Sequence, residues 1–468
     1  MMNIDMKTER LGTEPVSKLL LYFSLPAIAG LFANALYNIV DRIFVGQNVG
    51  QAGLAAVTVA FPLFEIGIAL CVLVGVGAAS IASRSLGAGK KKRAELVLGN
   101  ALTLSIIFAL LVCIVMLFSL DSALKFFGAS EAILKPARDY MIIALIGMPF
   151  FMISFVLNSL IRVEGSPKWA MGTLVIGTGA NIFLDWLFIC VFDWGVKGAA
   201  WGTTLSELLS CLWVALYYLK HSVLRFRYGN LKPRKLLIVN MLAIGVTPCI
   251  TSLSFAVLLV LLNQGALKLG GDMAVSSVGI FLALDSLFFL PALGISEAAQ
   301  PIIGYNYGAG LYHRVRKTII LALFACLLVF SFSWVSTQLF ARRIVQIFCD
   351  DHQALIEMTT RALKIGYALL PAASIFVVTS YTLQTLGRAR EALFIQLVRQ
   401  LGVCYPAILL MPRIFGLDGI WMAFPATDLG GSVLAFFALQ RELKKLKKNE
   451  GMANPLLKVA SNRSSSCR

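Results

Sequence analysis

The 468-residue chain is 58% hydrophobic and 14% charged, whereas a soluble domain carries about 25% charged residues. That deficit excludes an ordinary water-soluble globule and makes the membrane-spanning helix the unit to count. The formal net charge of +17 does not mark a nucleic-acid binder, because the basic residues are sorted by loop, as membrane topology demands.

A spanning helix needs about 20 mainly apolar residues. After a polar lead over 1–16, apolar runs fall in order at 17–45, 52–83, 94–118, 136–161, 168–192, 196–219, 236–264, 274–304, 317–340, 364–386, 391–412 and 418–440. They predict an all-α integral membrane protein with twelve spans. The runs are too long, and alternate too little, for a β-barrel. Pro26, Pro62, Pro149, Pro248, Pro291 and Pro371 lie inside apolar runs, where neighbouring helices must satisfy the freed carbonyls. The first run is too long for a cleavable signal and is expected to act as its own signal-anchor.

Lys and Arg crowd the even loops and the tail, at 84–93, 220–235 and 441–448, whereas the odd loops are nearly balanced in charge. The positive-inside rule then puts both termini in the cytoplasm. The nine cysteines are scattered, mostly in apolar runs and without a CxxC, so they read as small core residues.

The chain repeats itself at half length. Leu86-Gly87-Ala88-Gly89 followed by Lys90-Lys91-Lys92-Arg93 answers to Tyr307-Gly308-Ala309-Gly310 followed by His313, Arg314, Arg316 and Lys317. Pro26 matches Pro248, Pro149 matches Pro371, Gly165 matches Gly387, and Gly195-Val196-Lys197-Gly198 matches Gly416-Leu417-Asp418-Gly419. Six spans per copy return the chain to its starting side, so the copies are parallel repeats, an organisation typical of transporters. The expected units are a lead over 1–16, a six-helix lobe over 17–219, a basic linker over 220–235, a second lobe over 236–440 and a cytoplasmic polar tail over 441–468, disordered beyond Lys448.

A charge at the bilayer centre costs at least about 2.5–3.5 kcal/mol on insertion scales, so each intramembrane carboxylate needs a reason. Asp41, Glu65, Asp185, Glu207, Asp285, Glu297 and Asp428 are the candidates. Asn181 and Asp185 share a helix face by their spacing of four, and Thr203 follows a short turn at similar depth. With Asp41 they form a hard-oxygen set for a small cation or, desolvated, a place for a proton. Asp41 can instead be spent on its neighbour Arg42. The second half offers the neutral Asn263 in place of Asp41, so the set belongs to the first lobe. Glu207 and Asp428 share the half-length offset and read as polar spots facing a cleft between lobes; Asp285 and Glu297 can receive a cationic substrate or serve only as helix-packing polar groups. The glycine turn is no P-loop, because Gly89-Lys90 is followed by Lys91 and Arg84 stands where glycine is needed. His221, His313 and His352 are isolated and form no metal cluster. No nucleophilic triad stands out, and an enzyme reading has little to rest on.

The paired glycine turns, the Asn34-to-Gly46 stretch around Asp41, the Asn181/Asp185 pair, Gly195-to-Ala200 and the Ala298-to-Gly310 stretch together resemble the MATE family of multidrug and toxic-compound extrusion transporters. The resemblance is strongest to its MepA-type branch within the bacterial DinF-like group, and it covers about residues 15–440. It implies a V-shaped pair of pseudo-symmetric six-helix lobes in a bacterial inner membrane, exporting amphipathic, often cationic compounds in exchange for H⁺ or Na⁺ as the lobes rock. It implies no cofactor beyond the coupling ion, no nucleic-acid partner and a monomer. The ion site it implies comprises Asp41, Asn181, Asp185, Thr203, the Ala199 backbone carbonyl and Asn158. Two departures stand out: Trp186 replaces the proline common after the fifth-helix aspartate, and Arg42 follows Asp41. A lipid-linked-precursor flippase shares this architecture, but would favour a strongly cationic cavity; a membrane-embedded enzyme is the remaining alternative.

Overall fold

The computed structural model describes residues 6–348 and 353–465, which are mostly helical and carry no strand. In chain order the helices are α1 (Met6–Thr13), α2 (Val16–Asn48), α3 (Gly50–Gly87), α4 (Lys91–Phe126), α5 (Glu131–Val163), α6 (Pro167–Asp185) and α7 (Gly195–Lys220). Then follow α8 (Lys235–Gly308), α9 (Tyr312–Gln346), α10 (Gln353–Gly366), α11 (Leu370–Thr385), α12 (Ala389–Leu397), α13 (Tyr405–Phe415) and α14 (Leu417–Ser465). Apolar composition and length make ten of these stretches, among the described residues, able to cross a bilayer. The bent pair α10 and α11, at 54°, makes one more; Leu369 leaves the helical region at φ −119° and ψ 19°, and Pro371 sits in the first turn of α11, where its missing N–H costs no helical bond. The 74 residues of α8 would reach about 111 Å at 1.5 Å per residue, far beyond a hydrocarbon core of about 30 Å. Its backbone breaks at Gly271, with φ 62° and ψ −158°, between the predicted seventh and eighth spans. Twelve crossings result.

The duplication is written in the backbone. Gly50 and Gly271, Gly89 and Gly310, Gly165 and Gly387, and Gly195 and Gly416 all hold positive φ, the region where a Cβ is penalised. The Gly89 turn closes through Lys90 N–H to the Ser85 carbonyl at 2.8 Å, and its mate through Leu311 N–H to the Asn306 carbonyl at 2.8 Å. Both are Schellman-type helix stops.

Two compact units emerge, one of residues 1–11 and 25–253, the other of 12–24 and 254–468. Their limits fall within α1, within α2 just before Pro26, and within α8 a turn and a half after Pro248. The first unit claims the start of α8 for a steric reason. A Cβ on Gly77 would sit 2.7 Å from the Met241 carbonyl carbon, and one on Gly245 2.5 Å from that of Leu73, so α3 and α8 meet backbone to backbone. Small residues permit such approach where lipid provides no hydrophobic drive for helices to associate. The second unit claims residues 12–24 in part through Arg314, whose guanidinium donates to the Glu14 carbonyl at 2.5 Å.

The linker after α7 is also fixed. Glu164, just past α5, is 0% exposed and accepts from Ser222 Oγ at 2.8 Å, Val223 N–H at 2.6 Å and Tyr217 hydroxyl at 3.1 Å. Burial pushes its carboxyl up to about 7, against the hydrogen bonds that pull it down. The tail expected to be disordered beyond Lys448 instead continues α14, and Glu450 on it bridges Arg316 at 2.8 Å.

Candidate functional site

Within the first unit, α2, α5, α6 and α7 converge on one polar spot. Asp185 is the last residue of α6 and is fully buried; Asp41 on α2 is 7% exposed and stands beside it. Asn181, one turn earlier on α6, faces the same carboxylate. Thr203 on α7 is buried there too. Although close, both Asp185 oxygens, the Asn181 amide and Thr203 Oγ1 lack a partner at hydrogen-bonding geometry. Buried polar atoms are normally satisfied; a cluster of orphan oxygens around two carboxylates is the donor set a small hard cation or a proton completes.

The local backbone builds this spot. Gly202 on α7 has no side chain because a Cβ there would overlap Asp185 Oδ1 and lie 3.2 Å from Cγ. Ala199, one turn before Thr203, is fully buried. Directly after Asp185 the helix widens into a π-helix over Trp186–Val191, so Trp186 at the proline position continues the helix rather than kinking it. Phe188 in that segment stacks on Trp194 at 4.9 Å. Such π segments recur at functional sites. Sequence reasoning missed Tyr140 on α5, which lies in the field of Asp41 and Asp185 and beside Thr203. A tyrosine in the first turns of the fourth span was the available signal.

Asn158 stands apart. Its amide donates to the Ala170 carbonyl at 2.8 Å, and Ala170 lies fifteen residues before Asp185 on α6, about 22 Å along a helix. The side chain of Arg42 lies outside the described residues.

The remaining carboxylates scatter over both units. Glu207, one turn beyond Thr203 on α7, is half-buried near Cys71 and Cys211. In the second unit Phe281 meets Phe424 at 4.6 Å; Asp285 and Asp428 each follow by one turn, so both face the same contact. Tyr367 stacks on Phe281 at 4.8 Å and reaches Asp285. Asp428 is tied to Arg399 at 3.6 Å, whose guanidinium lies 4.4 Å over the Phe376 ring. Arg399, the cation sequence reasoning overlooked in the eleventh run, sits in a second π-helix, Val398–Cys404. Glu297 is half-buried on α8, away from these rings, and Asn263 is exposed. No group of three His, Cys, Asp or Glu suited to a transition metal occurs among the described residues.

The MatE family model matches residues 26–187 and 243–407. The chain belongs to the MatE family. It is 30% identical over 431 residues to the multidrug export protein MepA of Staphylococcus aureus strain N315, spanning 91% of this chain and 94% of that one. A solved structure described as the outward-facing conformation of a multidrug resistance MATE family transporter of the MOP superfamily superposes with a TM-score of 0.87, at 26% identity, over 94% of this chain and 98% of that one. A MATE structure in a bent conformation superposes at 0.89, with 26% identity, over 95% and 99%. As a MATE protein the chain is a multi-pass membrane transporter rather than an enzyme.

Proposed function

We propose that this MATE protein is a multidrug export antiporter of the bacterial inner membrane, with both termini cytoplasmic, acting as a monomer. It expels small amphipathic, often cationic compounds in exchange for H⁺ or Na⁺. The observation that carries the reading is the Asp41–Asp185 pair: two adjacent buried carboxylates amid orphan amide and hydroxyl groups. Like charges this close in an apolar setting are tolerable only when a cation or a proton joins them. Occupation therefore changes the charge of the first unit's interior by one, and alternating access of the two halves is the step this charge change drives. An inward cation supplies about 2.3 kcal/mol per 100 mV, plus its concentration gradient. Apolar, repackable walls suit cargoes of varied shape.

The test is ethidium efflux from reconstituted vesicles with a Na⁺ gradient or a pH gradient imposed separately. One gradient should drive efflux in the wild type, and neither should drive it in Asp41→Asn or Asp185→Asn. Gradient-driven efflux at wild-type rate by both variants refutes the assignment.

A further inference from the structure

The strongest feature outside the transport site is a cavity of about 820 Å³ at the start of α4. Lys90, Lys91, Lys92 and Arg93 line it from the glycine turn, and Arg225 and Arg227 line it from the linker. One carboxylate, Glu95, shares the wall; it is bridged to Arg227 at 3.4 Å. Six cations thus face one acid already engaged. The first turn of α4 adds the positive end of a helix dipole, and Lys90 at its N-cap supplies no side-chain acceptor.

The linker wall is not a loose loop. Asn100 on α4 donates to the Asn230 carbonyl at 3.0 Å and accepts from Arg234 N–H at 2.8 Å, while Thr103 Oγ1 donates to the Leu231 carbonyl at 2.8 Å. A Cβ on Gly99 would sit 2.7 Å from the Asn230 carbonyl carbon, so the linker lies flush on α4. With Glu164 holding Val223, the two basic walls are preset, which lowers the ordering cost of capturing a ligand.

The repeat supplies an internal comparison. In the second unit two arginines after the matching turn are engaged by the chain itself: Arg314 donates to Asn306 Oδ1 at 2.9 Å and to the Glu14 carbonyl, and Arg316 bridges Glu450. In the first unit the basic turn lines the cavity together with Arg225 and Arg227 of the linker. Phe226 (42% exposed) and Tyr228 (94% exposed) alternate in sequence with the lining residues Arg225 and Arg227. Exposed aromatics beside basic residues at the mouth of a span are the mark of the headgroup layer, and basic pockets there take anionic headgroups.

We propose that this cavity is a binding site for the phosphate of an anionic phospholipid headgroup, docked between the α4 turn and the linker. The chemistry recognised is a phosphate; the exposed aromatics flanking the linker arginines commit the source to lipid rather than to free phosphate.

The full-length protein in neutral detergent is titrated with short-chain phosphatidylglycerol, with phosphatidylcholine of equal chain length and inorganic phosphate as parallel arms, and binding is followed by thermal unfolding. Phosphatidylglycerol should stabilise saturably and the other two should not. Lys92→Gln/Arg225→Gln should weaken that binding by about fivefold per charge, about 25-fold in all. Lys447→Gln/Lys448→Gln, an equal charge change on exposed positions of α14, should leave it within about twofold. Equal weakening by both double variants would reduce the effect to diffuse charge and overturn the site. Saturable stabilisation by inorganic phosphate matching that by phosphatidylglycerol would overturn the lipid assignment.

Discussion

Gly202→Ala isolates the geometry of the proposed ion site from its charge. The new Cβ would overlap Asp185 Oδ1 and stand 3.2 Å from Cγ and 3.3 Å from the backbone nitrogen. A carbon and an oxygen need about 3.3 Å, so the carboxylate must swing by on the order of 1 Å or α7 must part from α6. Metal sites hold their ligands to within about 0.2 Å, and a misplacement of about 1 Å in a functional constellation is worth about 10²-fold. That corresponds to about 2.7 kcal/mol, within the range of about 1–3 kcal/mol for overpacking a tight contact. The expected result is gradient-driven efflux lowered about 100-fold in reconstituted vesicles, with the protein still membrane-inserted and all carboxylates present. Gly179→Ala on α6, where a Cβ would meet nothing within 4 Å, should transport as the wild type does. Wild-type efflux by Gly202→Ala would show that Asp185 need not hold this position, and the reasoning would fail.

Three further outcomes are expected. Burial raises Glu164 to about 7 from an ordinary 4.5, so its contribution to stability is fully present below about pH 4.5 and is lost as pH rises through about 7, amounting to about 3 kcal/mol; Glu164→Gln should flatten that part of the melting-temperature profile, and an unchanged profile would exclude Glu164 as its source. Gly245→Ala must push α8 off the Leu73 carbonyl, and it should destabilise the first unit by about 1–3 kcal/mol, read as a loss of detergent-solubilised monodisperse protein; behaviour like Gly179→Ala would contradict the backbone contact. Arg399→Ala leaves Asp428 buried without its cation at a cost of about 3–5 kcal/mol, and adding Asp428→Asn should restore most of it; a double variant as unstable as the single one would mean the pair at 3.6 Å carries little of the energy.

Hydropathy and the half-length repeat made the spans and the duplication legible, because a bilayer imposes a length on apolar runs and a left-handed backbone imposes glycine. The carboxylate pair was legible for a similar reason: charge inside lipid is costly enough to stand out. What stayed hidden depends on long-range packing. Tyr140 is an unremarked aromatic until α5 is laid against α7, and Gly202 is one small residue among several until Asp185 is placed against it. Arg399 sits in a run apolar enough to pass as featureless, and its tie to Asp428 needs the register of two helices. Asn158 carried its place in the ion set only by family likeness; the hydrogen bond to Ala170 commits it elsewhere.

The four glycine pairs with positive φ carry a consequence for the chain's ancestry. Both copies kept a positive φ where a side chain would be strained, while Asp41 and its counterpart Asn263 parted company in chemistry. Sterics of the main chain thus acted as a ratchet on geometry and left titrating groups free to drift. The halves can therefore differ in where they carry an acid without differing in the turns that shape them.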